Sequence, residues 1–229
     1  MKSKSNKFIL STLIAFSLIL MSCGSTKLES FPKMYGEKPL TLLIMPPINN
    51  TNSVEAKDFF YTTLNTPLAE AGYYVIPPAA AMATMQRESA YDAERFLNGD
   101  LKKFREIFGA DVAVFTIIKQ WDKVVIANRM SVEVEYILKS TKTNEVLFNR
   151  NAEVTYNFST SQSNSGLLGA VLGTVIDTLD TALTDYFSVA VDCNGAALED
   201  LPYGKYHPQH GLDGEEIAKS KKIELEFKR

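Results

Sequence analysis

The sequence predicts an α/β chain of the α+β mixed-sheet kind: a parallel βαβα start, an antiparallel hairpin and a long amphipathic helix toward the carboxyl end. Three patterns predict it. A continuous apolar run closed by Pro46-Pro47 leads into an apolar series at helical spacing, two later segments alternate apolar and polar residues, and a polar loop then gives way to a run of 3.6-residue period.

Residues 40–45, "LTLLIM", form a short run that suits a strand buried on both faces, with the two prolines ending it. Asn52 or Ser53 is placed to cap a helix whose Ala56, Phe59, Phe60, Leu64, Leu68 and Ala71 share one stripe. Pro67 should kink that helix or make its last turn begin anew, and Gly72 supplies a left-handed stop. Residues 73–76 read as a second short strand, and Pro78 suits the first turn of a helix through residues 79–88. This order implies a parallel strand pair with a right-handed crossover. Asp100 then caps the stripe Leu101, Phe104, Ile107 and Phe108, which Gly109 ends before a strand over residues 112–120.

The hairpin follows. Met130, Val132, Val134, Tyr136 and Leu138 share one parity, with Arg129, Ser131, Glu133, Glu135 and Lys139 on the other face. Val146, Phe148, Ala152, Val154, Tyr156 and Phe158 repeat the pattern after the turn at residues 141–144, so one face is wet and helices should cover the apolar one. Beyond the polar loop "STSQSNS", Leu167, Leu168, Val171, Leu172, Val175, Ile176 and Leu179 give an amphipathic helix, and its aspartates argue against a membrane span. Gly169 and Gly173 fall on one stripe of that helix with Asp177, Asp180 and Thr184. Glycine costs a helix about 1 kcal/mol relative to alanine, so the pair calls for close packing, on the protein's own sheet or against another chain or lipid.

The amino end has a different character. Lys2, Lys4 and Lys7 precede an apolar stretch over residues 8–21, too short to span a bilayer comfortably, which ends in Leu20-Met21-Ser22-Cys23. That tetrapeptide resembles a bacterial lipobox, which implies cleavage before Cys23 and acylation of it, palmitate included. The expected division is a signal peptide over 1–22, a lipid-anchored tether over 23–38, an α/β domain over 39–201 and a turn-rich, charged tail over 202–229 whose last segment is helical or disordered. No acidic cluster and no Asp follow Cys23 directly, which by resemblance to enterobacterial sorting favours the periplasmic face of the outer membrane.

Composition narrows the function. The chain carries a formal net charge of −3, and three lysines leave with the leader, so clustered positive charge for nucleic acid is lacking. Of two cysteines, Cys23 takes the lipid and Cys193 is left alone, so no disulfide staples the mature monomer. Asp177 and Asp180 form a carboxylate pair without a third ligand nearby in sequence, and read as a solvated helix face. His207 and His210 in "YHPQHG", with Cys193 upstream, have the residue types of a metal site, but Pro208 between them points to a turn-rich loop. No GxSxG, phosphate-binding glycine loop or HExxH is present. No cofactor, metal or catalytic residue is expected beyond the covalent lipid on Cys23.

The lipobox, "LLIMPPINNTNSVEA", "FGADVAVF", "TKTNEVLF", the glycine-bearing helix and "LPYGKYHP" together resemble a family of bacterial lipoproteins of undetermined function. The most specific pieces are Pro46-Pro47 and Tyr203-Gly204 with His207-Pro208, although family members place Pro where this chain has Lys205. The resemblance implies a fold like the amino-terminal domain of TolB, shared with the curli-secretion channel lipoprotein and a lipoprotein activator of peptidoglycan synthases. It also supports a non-enzymatic assembly or accessory component of a cell-envelope complex, secretion included, with membrane and envelope proteins as partners; the glycine stripe separately makes Gly169 and Gly173 a candidate homo-oligomer interface. The alternatives are a regulator that docks on a peptidoglycan synthase and a ligand-binding lipoprotein.

Overall fold

The computed structural model describes residues 24–124, 129–157 and 174–228. β1 (Thr41–Ile44) is buried on both faces, as its unbroken apolar run requires: Leu42 and Ile44 enter one core layer, Leu43 and Met45 the other. The parallel start is as expected. β3 (Tyr74–Val75) pairs in parallel with β1, and β1 with β4 (Val112–Val124). A two-residue β2 (Ile48–Asn49), just past the prolines, also lies parallel to β4.

Between β1 and β3 the helical stripe divides into α3 (Ala56–Thr63) and α4 (Asn65–Glu70), the restart that Pro67 demands. Gly72 stops it at φ 87° and Gly109 stops α7 (Lys102–Phe108) at φ 66°, where a Cβ would be strained. The expected cap at Asn52 or Ser53 does not form. Instead the Asn49 carboxamide accepts from the Thr51 N–H and donates to the Ser53 carbonyl, so this loop satisfies itself and α3 starts at Ala56 without a side-chain cap. α5 (Pro78–Arg87) opens on its proline as read, and a short α6 (Glu94–Leu97) precedes α7.

β4, β5 (Arg129–Ser140) and β6 (Val146–Asn157) form an antiparallel meander in which Val134 faces Ile118 on one side and Ala152 on the other. Met130, Val132, Val134, Tyr136 and Leu138 all face the core. α8 (Thr174–Leu198) packs across them: the Tyr136 hydroxyl donates to Asn194 Oδ1 (2.7 Å), whose amide donates to Thr63 Oγ1 (2.8 Å), tying sheet, α8 and α3 together. Helices cover both faces of the sheet rather than the apolar side alone, because β1 and the first half of β4 are apolar on both sides; Ala81, Met85, Leu101 and Phe104 fill the second layer.

Two expectations about the termini are corrected. The final charged segment is a strand, β7 (Lys222–Lys228), parallel to β6 with Ile223 opposite Ala152 and Phe227 opposite Tyr156, giving a seven-stranded sheet of order β3-β1-β4-β5-β6-β7 with β2 beside β4. The residues expected to be a loose tether carry α1 (Lys27–Ser30) and α2 (Pro32–Glu37), with Phe31 and Met34 buried in the core. A capping box starts α1: the Thr26 hydroxyl accepts from the Glu29 N–H while the Glu29 carboxylate accepts from the Thr26 N–H.

Candidate functional site

The chain leaving the expected acylation site is seized by the fold almost at once. Ser25 accepts from the Ala218 N–H (2.9 Å), Thr26 bridges to Ile217, and the Lys27 N–H donates to the Glu216 carbonyl (2.8 Å). The Lys27 side chain is almost fully buried beneath this contact, where it meets Glu216 (2.7 Å) and the buried Asp213 (3.7 Å) and lies over the Tyr203 ring (4.7 Å). A buried ammonium is tolerated only with such partners.

Tyr203, Gly204, His207 and Pro208 build the loop that completes this arrangement. The Asp213 carboxylate accepts from the Tyr203 N–H (2.9 Å), and the His207 ring stacks on Tyr203 with centroids 3.6 Å apart. Gly204 donates to the Ala71 carbonyl and Tyr206 to that of Gly72, so the loop is bolted to the turn between α4 and β3. The approach leaves no room for side chains: a Cβ on Gly204 would lie 2.4 Å from the Gly72 carbonyl oxygen. The histidines serve this turn. His207 Nδ1 accepts from the Gln209 N–H (3.2 Å), and His210 Nδ1 lies 2.7 Å from the Tyr203 carbonyl. Cys193 stands apart in the core of α8, with burial pushing its thiol pKa up. Among the described residues no group of three or more His, Cys, Asp and Glu is placed to hold a metal ion.

A second polar knot holds the other side of the same region. Arg150, fully buried on β6, donates to Asp200 Oδ1 (2.6 Å) and to the Ser220 carbonyl, while Asp200 Oδ2 accepts from the Lys219 N–H (2.7 Å). Between the two knots a groove of about 530 Å³ is lined by Gly24, Ser25, Phe31, Val146, Lys219 and Lys221 among others.

A sequence model of the family described as "Putative lipoprotein GNA1162-like" matches residues 31–202, from Phe31 beside α1 to the start of the Tyr203 loop. The chain belongs to the GNA1162-like lipoprotein family. A protein of Neisseria meningitidis serogroup B described as "Putative lipoprotein NMB1124/NMB1162" is 26% identical over 176 residues, which are 75% of this chain and 81% of the relative. The crystal structure of lipoprotein GNA1162 from Neisseria meningitidis is similar at TM-score 0.49 and 24% identity, over 66% of this chain and 99% of that one. The PelC dodecamer from Paraburkholderia phytofirmans is similar at TM-score 0.41 and 14% identity, over 71% and 87%. For this family member, the predicted site residues divide plainly: Cys23, Gly169 and Gly173 lie outside the described residues, and Asp177 and Asp180 fall in the first half of α8. Sequence reasoning missed the Lys27 knot, although the Thr26-x-x-Glu29 capping signature was legible and argued for structure there.

Proposed function

We propose that this chain is a lipoprotein anchored through Cys23 to the periplasmic face of the outer membrane, where it serves without catalysis of its own as an assembly or accessory component of an envelope complex. Membership of a lipoprotein family and the Leu20-Met21-Ser22-Cys23 sequence support the anchor. Buried ionisable groups such as Lys27, Arg150 and Asp200 are engaged with internal partners, which fits a scaffold better than a reaction centre.

The observation that carries the assembly half is on α8. Phe187 and Val191, one helical turn apart, are 47% and 44% exposed, while Val189, Ala190 and Cys193 on the same helix are buried. A helix that buries one stripe and still offers apolar side chains on another suits a protein partner. Gly169 and Gly173, outside the described residues, are kept as a candidate homo-oligomer contact. The test is photo-crosslinking in intact cells with benzoylphenylalanine at position 187 or 191, against position 91, also exposed but between α5 and α6. Adducts confined to α8 are expected. A peptidoglycan synthase among them would favour the regulatory alternative, and equal or absent adducts at all three positions would refute the surface. The anchor is tested by Cys23→Ser, which should abolish fatty-acid labelling.

A further inference from the structure

We propose that the end of the molecule around Gly24 is a membrane-contacting face, seated directly on the bilayer that receives the lipid of Cys23. The inference rests on the anchoring reading above and deepens it by fixing which surface meets the membrane.

The argument begins with reach. Consecutive Cα atoms are about 3.8 Å apart, so Cys23 must lie against Gly24, and Ser25, Thr26 and Lys27 are already hydrogen-bonded or bridged to residues 216–218. With one residue between the acylated position and the first backbone contact, the surface beside Gly24 stands within about 10 Å of the lipid headgroups. A flexible tether of some fifteen residues would have let the domain turn freely; the buried Lys27, Phe31 and Met34 remove that freedom.

The surface held there has the chemistry of a bilayer contact. Ile217 is 59% exposed and touches Gly24, whose added Cβ would lie 2.8 Å from its Cγ2. Leu28 is 45% exposed and hydrogen-bonded through its N–H to Gly214, two residues beyond the exposed Leu212. Val146, also 45% exposed, lines the groove that Gly24 borders, with Lys219 and Lys221 at its margin. Branched apolar residues beside lysines suit the boundary between acyl chains and phosphates, where such side chains bury about 5–10 Å deep.

The sheet gives the contact a direction. Val146 begins β6 at the groove that Gly24 borders, β7 joins it in parallel from Lys222 opposite Asn151, and both strands run on toward Asn157 and Lys228. At about 3.3 Å per residue, the far end of β6 lies about 36 Å along the strand from Val146. The membrane would therefore meet Ile217 and not Glu226.

The test uses the full acylated chain in vesicles of phosphatidylethanolamine and phosphatidylglycerol. Because Cys193 is buried and Cys23 blocked by lipid, I217C or E226C can be labelled with an environment-sensitive fluorophore, and brominated acyl chains supply the quencher. Quenching at 217 should exceed that at 226 by about twofold or more. Equal quenching at the two positions, or more at 226, in a protein that floats with the vesicles would overturn the inference and leave the anchor standing. A parent chain that carries no fatty acid and does not float would instead remove the anchoring reading, and is recognised before any quenching is measured.

Discussion

Arg150 and Asp200 meet at 2.6 Å with both side chains withdrawn from water, joining the middle of β6 to the segment just beyond α8. Asp200 also accepts from the Lys219 N–H and Arg150 donates to the Ser220 carbonyl, so the pair fixes the turn from which β7 departs. Asp200→Ala strands a buried guanidinium and should lower unfolding free energy by about 3–5 kcal/mol. The double change Arg150→Met, Asp200→Leu should lose far less, because it leaves no unpaired charge. Urea denaturation of the chain from Gly24 onward measures both; equal losses in the two variants would show that geometry, not charge burial, is what the pair supplies.

Gly204 and Gly195 should respond oppositely to alanine. At Gly204 the new methyl meets backbone atoms of Gly72, which have nowhere to go, so the loop must lift and stability should fall by at least about 2 kcal/mol. Gly195 lies inside α8, and a Cβ there would find nothing within 4 Å. Gly195→Ala should therefore raise stability by about 0.5–1 kcal/mol. Thermal melts of the two variants side by side decide it.

How much of this was legible depended on where the deciding contacts lie. The β1 run, the Pro67 restart, the Gly72 and Gly109 stops and the parity of the hairpin over residues 130–138 and 148–156 are local patterns that form as read, whereas the register shift at Lys139 buries that lysine and leaves Val146 45% exposed. β7 was hidden by its charges, although Ile223, Leu225 and Phe227 alternate with Lys222, Glu224, Glu226 and Lys228. A strand at the edge of the described sheet needs only one apolar face, and charge on the other deters further pairing. The Lys27 knot was out of reach for a different reason: its partners Asp213 and Glu216 are distant in sequence, and nothing local tells a buried lysine from a solvated one. Cys23 lies outside the described residues, and its reading as an acylation site rests on the local tetrapeptide alone.

Glu135 makes stability pH-dependent. Burial alone would raise its carboxyl pKa, but hydrogen bonds from Lys119 Nζ (2.9 Å) and Asn149 Nδ2 (2.8 Å), with the lysine's charge, hold it below the usual 4.5. A carboxylate with its folded pKa lowered adds stability above the unfolded value and loses it as pH falls through the folded one. The group is partly exposed, so its share should be no more than about 1 kcal/mol. Glu135→Gln should be slightly less stable than the parent at neutral pH and lose less on acidification. Urea midpoints from about pH 6 down to about pH 3 reveal it, and parallel profiles would assign the acid sensitivity elsewhere.

The carboxyl-terminal strand offers the sharpest separation of a folded tail from a charged extension. Ending the chain after Lys221 removes Ile223 from the core and Phe227 from the Tyr156 ring, with which it stacks at 5.0 Å, and bares the hydrogen-bonding edge of β6. The loss of buried aliphatic and aromatic contacts should cost more than about 3 kcal/mol, and the open edge should make the truncated chain associate in proportion to its concentration. Phe227→Ala isolates the ring contact, half-buried and edge-located, and should cost about 1–2 kcal/mol without association. Denaturation and sedimentation on the three chains answer the question together. If β7 covers the edge of β6, the midpoint falls in both variants, further in the truncated chain, and the mass rises only on truncation. A truncated chain that kept the parent midpoint and stayed monomeric would return these residues to the status of a solvated tail.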